Sequence, residues 1–366
     1  MNILFVASLT RIATANYLLR ALRRQGHAVF AYSDVSHPEA YATGPGVVDV
    51  ATLCARHGLA PELVLFIEGG TMRLFPVGIE KLDARTAWYG IDTHMDYAKH
   101  LAIARVFDAT FIAQQEYVER LRADGIAQAY WLPLGFAPEL LPDPLPPRDL
   151  DFAYVGSMNA TVHPERHALL TALARRYPNH YIGPATPEDM ARLYSRARVV
   201  FNKSVNNDVN MRYFEAMGSG AALVTDPIRG NGVAELFEEG RHYLTYRGVD
   251  DLLATVDRLL AGEAHRATMA DAARTLVASR DTYAHRATSL MQQIPTLRRQ
   301  SRPEADAYFA VFFRLRLLGG VLHAVQSALA TGGYGRVDRL VMGPLRVVIA
   351  FGQQLTMALG RWLGPR

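Results

Sequence analysis

Short apolar runs alternate with helix-forming segments through most of the chain. The runs occupy residues 3–7, 29–32, 63–67, 86–90 and 109–113, and they resume at 151–156, 180–183, 199–202 and 221–225. Runs of this length rich in β-branched and aromatic residues are typical of buried strands. Because strands that alternate with helices form parallel sheets covered by helices, the sequence predicts an α/β protein.

A proline-rich segment divides this alternation into two halves. Residues 138–149 contain five prolines in twelve positions, which neither a helix nor a central strand accommodates. We therefore predict a first Rossmann-like domain over residues 1–143 and a second over residues 150–298. Ligands of open α/β sheets bind beyond the carboxyl ends of the strands, so two facing sheets enclose a cleft that is the expected active site.

Composition excludes several classes of function. The single cysteine, Cys54, excludes a disulfide framework and a thiolate metal cluster. A formal charge of +4 over 366 residues is weak support for nucleic acid, and no nucleic-acid partner is expected. The first strand is followed by residues 7–12 without a Gly-x-Gly-x-x-Gly motif, which argues against a nicotinamide or flavin cofactor. The amino terminus resembles a strand more than an export signal, which favours a cytoplasmic protein.

The last segment, residues 303–366, differs in character and is predicted to be an α-helical extension. Residues 311–366 contain seven arginines, one acidic residue (Asp338), and no lysine or glutamate. Arg346 and Arg361 fall on one side of a helical wheel, and apolar residues fall on the other. Two interpretations stay open: a basic helix lying peripherally on the inner face of a membrane, or a helix that packs on the domains or on a partner subunit.

Residues 206–226 read NNDVNMRYFEAMGSGAALVTD: polar capping residues, a short amphipathic run, two glycines and an apolar strand. This run resembles the second-domain motif of nucleotide-sugar-dependent glycosyltransferases with the GT-B fold, glycosyl transferases group 1, in particular those related to spore maturation protein CgeB. Residues 88–94, 131–138 and 152–158 are similar to further segments of that family. The resemblance covers roughly residues 1–295 and leaves the last segment outside.

The resemblance implies two facing Rossmann-like domains and transfer of a sugar from a nucleoside diphosphate sugar to a glycan, lipid or protein acceptor. It implies retention of the anomeric configuration, and the nucleotide sugar is then a co-substrate rather than a cofactor. No metal is expected, because no Asp-x-Asp stands where a divalent ion would be needed. A sugar-nucleotide epimerase of the same fold and a non-catalytic binding protein remain as alternatives.

The start of the helix that carries Glu215 is the expected donor site, because free amides and the helix dipole favour anions. The resemblance implies that Glu215 accepts from the ribose hydroxyls. Relatives often carry a second glutamate eight residues earlier, where this chain has Asn207 followed by Asp208. The resemblance therefore does not identify the donor sugar. The predicted donor-binding residues are Ser8, Thr10, Gly156, Ser157, Lys203, Asn207, Asp208, Asn210, Met211, Glu215, Asn231 and Gly232. The last two are expected to let backbone approach the ligand closely, with Glu235 nearby.

Four residues are the predicted catalytic groups. Arg166, on a helix expected to be exposed, is the first candidate for the diphosphate because a guanidinium binds phosphate through two parallel hydrogen bonds. Arg212 is the second candidate for the diphosphate, with pairing to Asp208 as the alternative, and Lys203, from the donor-binding set, is the third. Asp92 and His94 follow a strand end, where they are placed to orient or deprotonate the acceptor or to contact the donor sugar.

Overall fold

The structure is a computed structural model that describes residues 1–42, 44–68 and 73–299. The predicted extension at 303–366, and with it the basic segment at 311–366, lies outside these residues. In the described ranges, no helix combines the length and apolar character needed to cross a bilayer.

The first domain is built on a seven-stranded parallel sheet. Its elements are β1 (Asn2–Ala7), α1 (Ala15–Arg24), β2 (Ala28–Ser33), β3 (Tyr41–Ala42), β4 (Gly46–Asp49), α2 (Val50–His57), β5 (Leu63–Glu68), β6 (Leu74–Val77), β7 (Arg85–Gly90), α3 (Tyr97–Ala104), β8 (Ala109–Ile112), α4 (Glu116–Ala123) and β9 (Ala129–Trp131). The strand order is β3-β2-β1-β5-β7-β8-β9, and β4 pairs separately with β6. Strand β5 is buried along its whole length because helices cover both faces of the sheet.

The second domain is built on a five-stranded parallel sheet in the order β11-β10-β12-β13-β14. Its elements are β10 (Leu150–Val155), α5 (Pro164–Arg176), β11 (His180–Gly183), α6 (Pro187–Arg196), β12 (Ala197–Phe201), α7 (Met211–Gly218), β13 (Ala222–Thr225), α8 (Val233–Leu236), β14 (Tyr243–Thr245), α9 (Gly248–Ala261) and α10 (Glu263–Arg280). Helix α6 begins at Thr186, whose hydroxyl accepts from the Asp189 amide at 3.2 Å.

The chain then returns to the first domain through α11 (Tyr283–Gln293). The ring of Tyr283 stacks on Tyr17 of α1 with centroids 5.1 Å apart, and Gln25 donates to the Ala284 carbonyl at 2.8 Å. Residues 283–298, which the predicted boundaries assigned to the second domain, therefore pack on the first. Their apolar face is buried there rather than on the second sheet.

The two connections between the domains are bonded to each other. The Phe136 amide, after β9, donates to the Asp281 carbonyl at 2.9 Å, and the Tyr283 amide donates to the Phe136 carbonyl at 2.9 Å. The Phe136 ring lies over Gly218 at the end of α7, where an added Cβ would be 2.6 Å from the ring. One buried cluster consequently continues from the first domain into the second.

Candidate active site

The carboxyl ends of the strands in the two sheets meet across a cleft, as the sequence predicts. On one rim Arg11, after β1, forms an ion pair of 3.1 Å with Glu188 of α6. Further along, Gln114, after β8, donates to Asp208, in the loop before α7, at 2.9 Å. The loops that carry the predicted site residues thus lie together between the domains.

The polar run before α7 fixes the start of that helix. Asn210 caps it, with Oδ1 accepting from the Arg212 amide at 3.1 Å and Nδ2 donating to Asn202 Oδ1 at 3.2 Å. Asn202 is fully buried and donates in turn to the Thr225 hydroxyl at 2.9 Å. Side chains from β12, α7 and β13 are therefore locked together behind the helix terminus.

Arg212 is held by three uncharged acceptors. Its guanidinium donates to Asn202 Oδ1 at 2.7 Å, to the Val155 carbonyl at 2.7 Å and to the Tyr194 hydroxyl at 3.2 Å. It lies 4.6 Å from the centre of the Tyr154 ring. The alternative pairing with Asp208 does not occur, because Asp208 bonds to Gln114 instead. Within the described part of the chain, Arg212 forms no ion pair with a carboxylate.

Arg166 is only 9% exposed, so the prediction of an exposed helix position is wrong. It lies in the first turn of α5, which packs against Tyr154 with the guanidinium 5.9 Å from that ring. One terminal nitrogen donates to the Lys203 carbonyl at 3.3 Å, and Nε is buried with no hydrogen bond in residues 1–42, 44–68 and 73–299. Arg166 and Arg212 therefore flank the same ring.

Lys203 differs from the two arginines because it already has carboxylate partners. Its ammonium lies 3.1 Å from Asp226 and 3.5 Å from Glu165. Asp226 is held further by the amide and hydroxyl of Ser204, both at 2.6 Å. Lys203 is accordingly the weaker candidate for an anion.

Gly156 makes room for Tyr154 and Arg212. A Cβ there would lie 2.6 Å from the Tyr154 hydroxyl and 3.1 Å from a terminal nitrogen of Arg212, so only glycine lets the backbone pass. The neighbouring Ser157 is exposed, and its hydroxyl accepts from the Asn159 amide at 3.2 Å.

The Asn207 side chain supports a neighbouring loop. Asn207 adopts a left-handed conformation (φ 62°), and its amide group exchanges hydrogen bonds of 2.7 and 2.9 Å with the Arg229 backbone. The buried Asn231 donates to the Asn207 carbonyl at 2.8 Å and accepts from the Glu116 amide at 3.4 Å. A sugar contact through the Asn207 side chain would require its bonds to Arg229 to break.

The loop after Asn231 packs on the first domain. The Trp131 indole lies against Gly232, where an added Cβ would be 2.3 Å from the ring. The group that approaches Gly232 closely is therefore Trp131 and not the ligand that the sequence predicts there. Glu235 is exposed and accepts from Gln115 at 3.5 Å.

Asp92 and Asp208 are acidic groups whose environment favours the protonated form. Burial raises the pKa of Asp92 to about 6, with His94 lowering it and Asp208 raising it. Burial likewise raises the pKa of Asp208 to about 6, against the hydrogen bond from Gln114. Burial lowers the pKa of His94, whose Nδ1 is buried without a hydrogen bond to the described residues. Carboxyl groups of this kind can hold or release a proton near neutral pH.

Glu215 lines a narrow crevice between the domains. Burial raises its pKa to about 7, and Arg212 opposes that effect. The crevice, shared with Tyr17, Met211 and Tyr283, has about 10 Å³ of space. That is about the room one water needs, so a ribose could reach Glu215 only if the domains separate here.

The two predicted donor-binding residues of the first domain differ in their surroundings. The Ser8 hydroxyl is buried without a hydrogen bond to the described chain, whereas Thr10 is exposed. Met211 accepts from Thr14 at 3.2 Å across the cleft. The sequence analysis missed Gln114 and the α1 residues that face the cleft, although a polar residue following β8 was a usable signal.

No arrangement of three or more His, Cys, Asp or Glu side chains suited to a metal ion occurs in the described ranges.

Comparison with known proteins identifies the architecture. Anabaena HepE in complex with UDP and glucose is 13% identical, with a TM-score of 0.60 over 81% of this chain and 100% of that one. Sucrose-phosphate synthase from Thermosynechococcus elongatus is 14% identical, with a TM-score of 0.58 over 81% of this chain and 99% of that one. The fold is GT-B. A glycosyltransferase from Rickettsia africae has the same GT-B fold at 9% identity, with a TM-score of 0.57 over 82% and 99% of the two chains.

Sequence comparison places the family likeness in the second GT-B domain. Residues 139–292 match a family model described as glycosyl transferase-like. No curated protein matches the chain in sequence. The predicted GT-B fold is confirmed, and the family match together with that fold supports the prediction that the protein is an enzyme, a glycosyltransferase.

Proposed function

We propose that the protein transfers a sugar from a nucleoside diphosphate sugar to an acceptor bound in the interdomain cleft. The family match over residues 139–292 and the GT-B fold support this activity. HepE binds UDP and UDP-glucose in its solved complexes, which favours a uridine nucleotide as the first donor to try.

One observation carries the proposal: Arg166 and Arg212 flank Tyr154 beside Gly156, and neither forms an ion pair with a described carboxylate. Guanidinium groups that are buried or half-buried and form no ion pair are a strong site for an anion, since desolvation strengthens the interaction. We assign the diphosphate to this pair of arginines. Lys203 also binds it if a phosphate oxygen replaces Glu165 as the partner of the Lys203 ammonium.

The chemistry follows from that placement. The acceptor hydroxyl oxygen forms a bond to the anomeric carbon while the bond from that carbon to the diphosphate oxygen breaks. The diphosphate gains negative charge in this step, and fixed guanidinium groups stabilise it. The hydroxyl proton passes to the departing diphosphate oxygen, with Asp92 and His94 orienting the acceptor.

We also propose that the reaction retains the anomeric configuration and needs no metal ion. A metal is not needed because two guanidinium groups can supply the charge neutralisation that a metal ion supplies elsewhere. Product anomers resolved by proton NMR test retention. Unchanged turnover after treatment with EDTA is the expected result for metal independence, and loss of turnover restored by Mg²⁺ would contradict it.

We further propose a closer relationship to CgeB, a cytoplasmic location and peripheral binding to a membrane through residues 311–366. Basic amphipathic helices are attracted to anionic lipid surfaces. Flotation of the full chain with anionic vesicles is expected to weaken in the Arg346→Gln, Arg361→Gln double variant. Equal recovery of the two proteins would remove the membrane part.

A nucleotide panel tests the activity itself. UDP, GDP and dTDP are compared by thermal shift, because a ligand that binds the folded state raises apparent stability. Arg166→Gln is expected to weaken the best nucleotide at least about tenfold, the size of a charged hydrogen bond. The matched control is Arg175→Gln, an exposed arginine on the same helix. Equal affinity in both variants would contradict the assignment of the diphosphate.

A further inference from the structure

A cavity of about 300 Å³ lies between α1, the loop after β2 and the start of α6. Asn16, Tyr17 and Arg20 line it from α1, and residues 187–188 close it from the second domain. The volume lies at the lower end of the range for small-molecule sites.

Arg20 is a half-buried guanidinium without a partner in this cavity. It makes no hydrogen bond or ion pair with any residue in the described ranges. The two other arginines of α1 are paired, Arg23 with Glu39 and Arg24 with Glu139. Because a partly desolvated charge is stabilised by a counter-ion, Arg20 is placed to receive an anion.

The remaining charged groups leave the cavity net positive. Arg11 and Glu188 pair with each other across its mouth at 3.1 Å and offset one another. The pKa of His37 is lowered by burial, and Arg20 and Arg23 lower it further against the effect of Glu39. His37 is therefore uncharged at neutral pH, and the uncompensated charge is that of Arg20.

Asn16, one of the residues that line the cavity, has an unused hydrogen-bond acceptor. Asn16 is 4% exposed, and its Nδ2 donates to the Thr10 carbonyl at 2.7 Å, which fixes the orientation of the amide. Its Oδ1 is buried without a hydrogen bond to the described residues. A buried acceptor of this kind is stabilised by a donor such as a ligand hydroxyl.

We propose that this cavity binds the acceptor as a phosphate ester of a small hydroxyl compound. Arg20 takes the phosphate, and Asn16 Oδ1 accepts from a hydroxyl. This rests on the proposed function, since it names the acceptor class for that reaction. Tyr17 lines both this cavity and the crevice beside Glu215, so the bound hydroxyl compound lies next to the donor site.

The test separates an acceptor phosphate from the phosphates of the donor. The full-length protein is saturated with the nucleoside diphosphate that gives the largest thermal shift. Inorganic phosphate, a hexose 6-phosphate and the same hexose without phosphate are then titrated by calorimetry. We expect the ester to bind at least about ten times more tightly than the hexose, from one charged hydrogen-bonding group.

Variants assign the effect to Arg20. Arg20→Gln is expected to weaken the ester at least about tenfold, Arg20→Lys to restore part of that loss, and the nucleotide affinity to stay unchanged in both. The control is Arg24→Gln, an exposed arginine of the same helix, which is expected to bind as the unaltered protein does.

Two results would overturn the assignment. One is equal affinity for the ester in Arg20→Gln and the unaltered protein. The other is binding of phosphate that vanishes when nucleotide is saturating, which would mean that the cavity binds the donor instead of the acceptor. If no nucleotide binds, the proposed function fails by itself, and the phosphate titration without nucleotide still decides whether Arg20 binds an anion.

Discussion

The Gln114 side-chain amide donates a hydrogen bond of 2.9 Å to the Asp208 carboxylate and thereby joins the two domains at the cleft. The same nitrogen donates to the Ile91 carbonyl at 2.5 Å. Both side chains are buried, at 2% and 7% exposure. One amide consequently ties β7, β8 and the loop before α7 together.

Gln114→Ala is expected to lower the free energy of unfolding by about 1–3 kcal/mol, because it leaves a buried carboxyl without its partner. Urea denaturation measures the loss. The control is Gln115→Ala, which removes only a 3.5 Å contact to the exposed Glu235 and should change stability by less than about 0.5 kcal/mol. Similar losses in the two variants would mean that the bond to Asp208 contributes nothing.

Stability is expected to fall as the pH rises through the pKa of about 6 at Asp208. The folded protein holds this proton up to about pH 6, whereas the unfolded chain releases it near the ordinary value of 3.8. Between these values the folded state binds more protons, so its stability decreases with pH. Asp208→Asn should flatten the slope of melting temperature against pH between 4.5 and 7.5, and the exposed control Asp271→Asn should not. A slope unchanged in Asp208→Asn would contradict the raised pKa.

Gly232→Ala is expected to destabilise the protein more than Gly230→Ala. Both glycines have positive φ, +78° and +64°, so both substitutions introduce backbone strain of about 1–2 kcal/mol. Only Gly232 has the Trp131 ring where a Cβ would stand, which adds about 1–3 kcal/mol of overpacking. Equal losses in urea denaturation would show that the indole moves aside freely.

Glu215→Gln is expected to raise stability at pH 8 while reducing turnover. Above its pKa of about 7 the carboxylate is ionised in a crevice with little solvent, so a neutral amide stabilises the fold by about 1–3 kcal/mol. At pH 4 the two proteins should unfold nearly alike, because Glu215 is then largely protonated in the unfolded chain, with its ordinary value of 4.5, as well as in the folded one. Thermal unfolding at both pH values and kcat with a nucleotide sugar test this, with exposed Glu235→Gln as the control. A pH-independent difference would point to packing instead of charge.

The strands were predictable because their signal is local. The apolar run that became β5 is continuous, and the polar run before α7 carries its own cap in Asn210. The small β4–β6 sheet was not predicted, since its pairing joins residues 46–49 to 74–77 and neither strand is long.

The surroundings of the site residues depended on distant partners. Arg166 is buried because Tyr154 of another element lies beneath it, which the pattern of α5 alone does not reveal. Gln114 bonds to a carboxylate 94 positions later, and Arg20 faces a cavity completed by α6. Sequence patterns give the position of a residue on its own helix or strand, whereas its partners are set by how the domains pack.

The two interdomain connections are bonded to each other at Phe136, so both cross between the domains at one place. We expect relative motion of the domains to be a rotation about that place. The cavity at Arg20 and the crevice at Glu215 both lie between the two domains, so such a rotation would change access to both together.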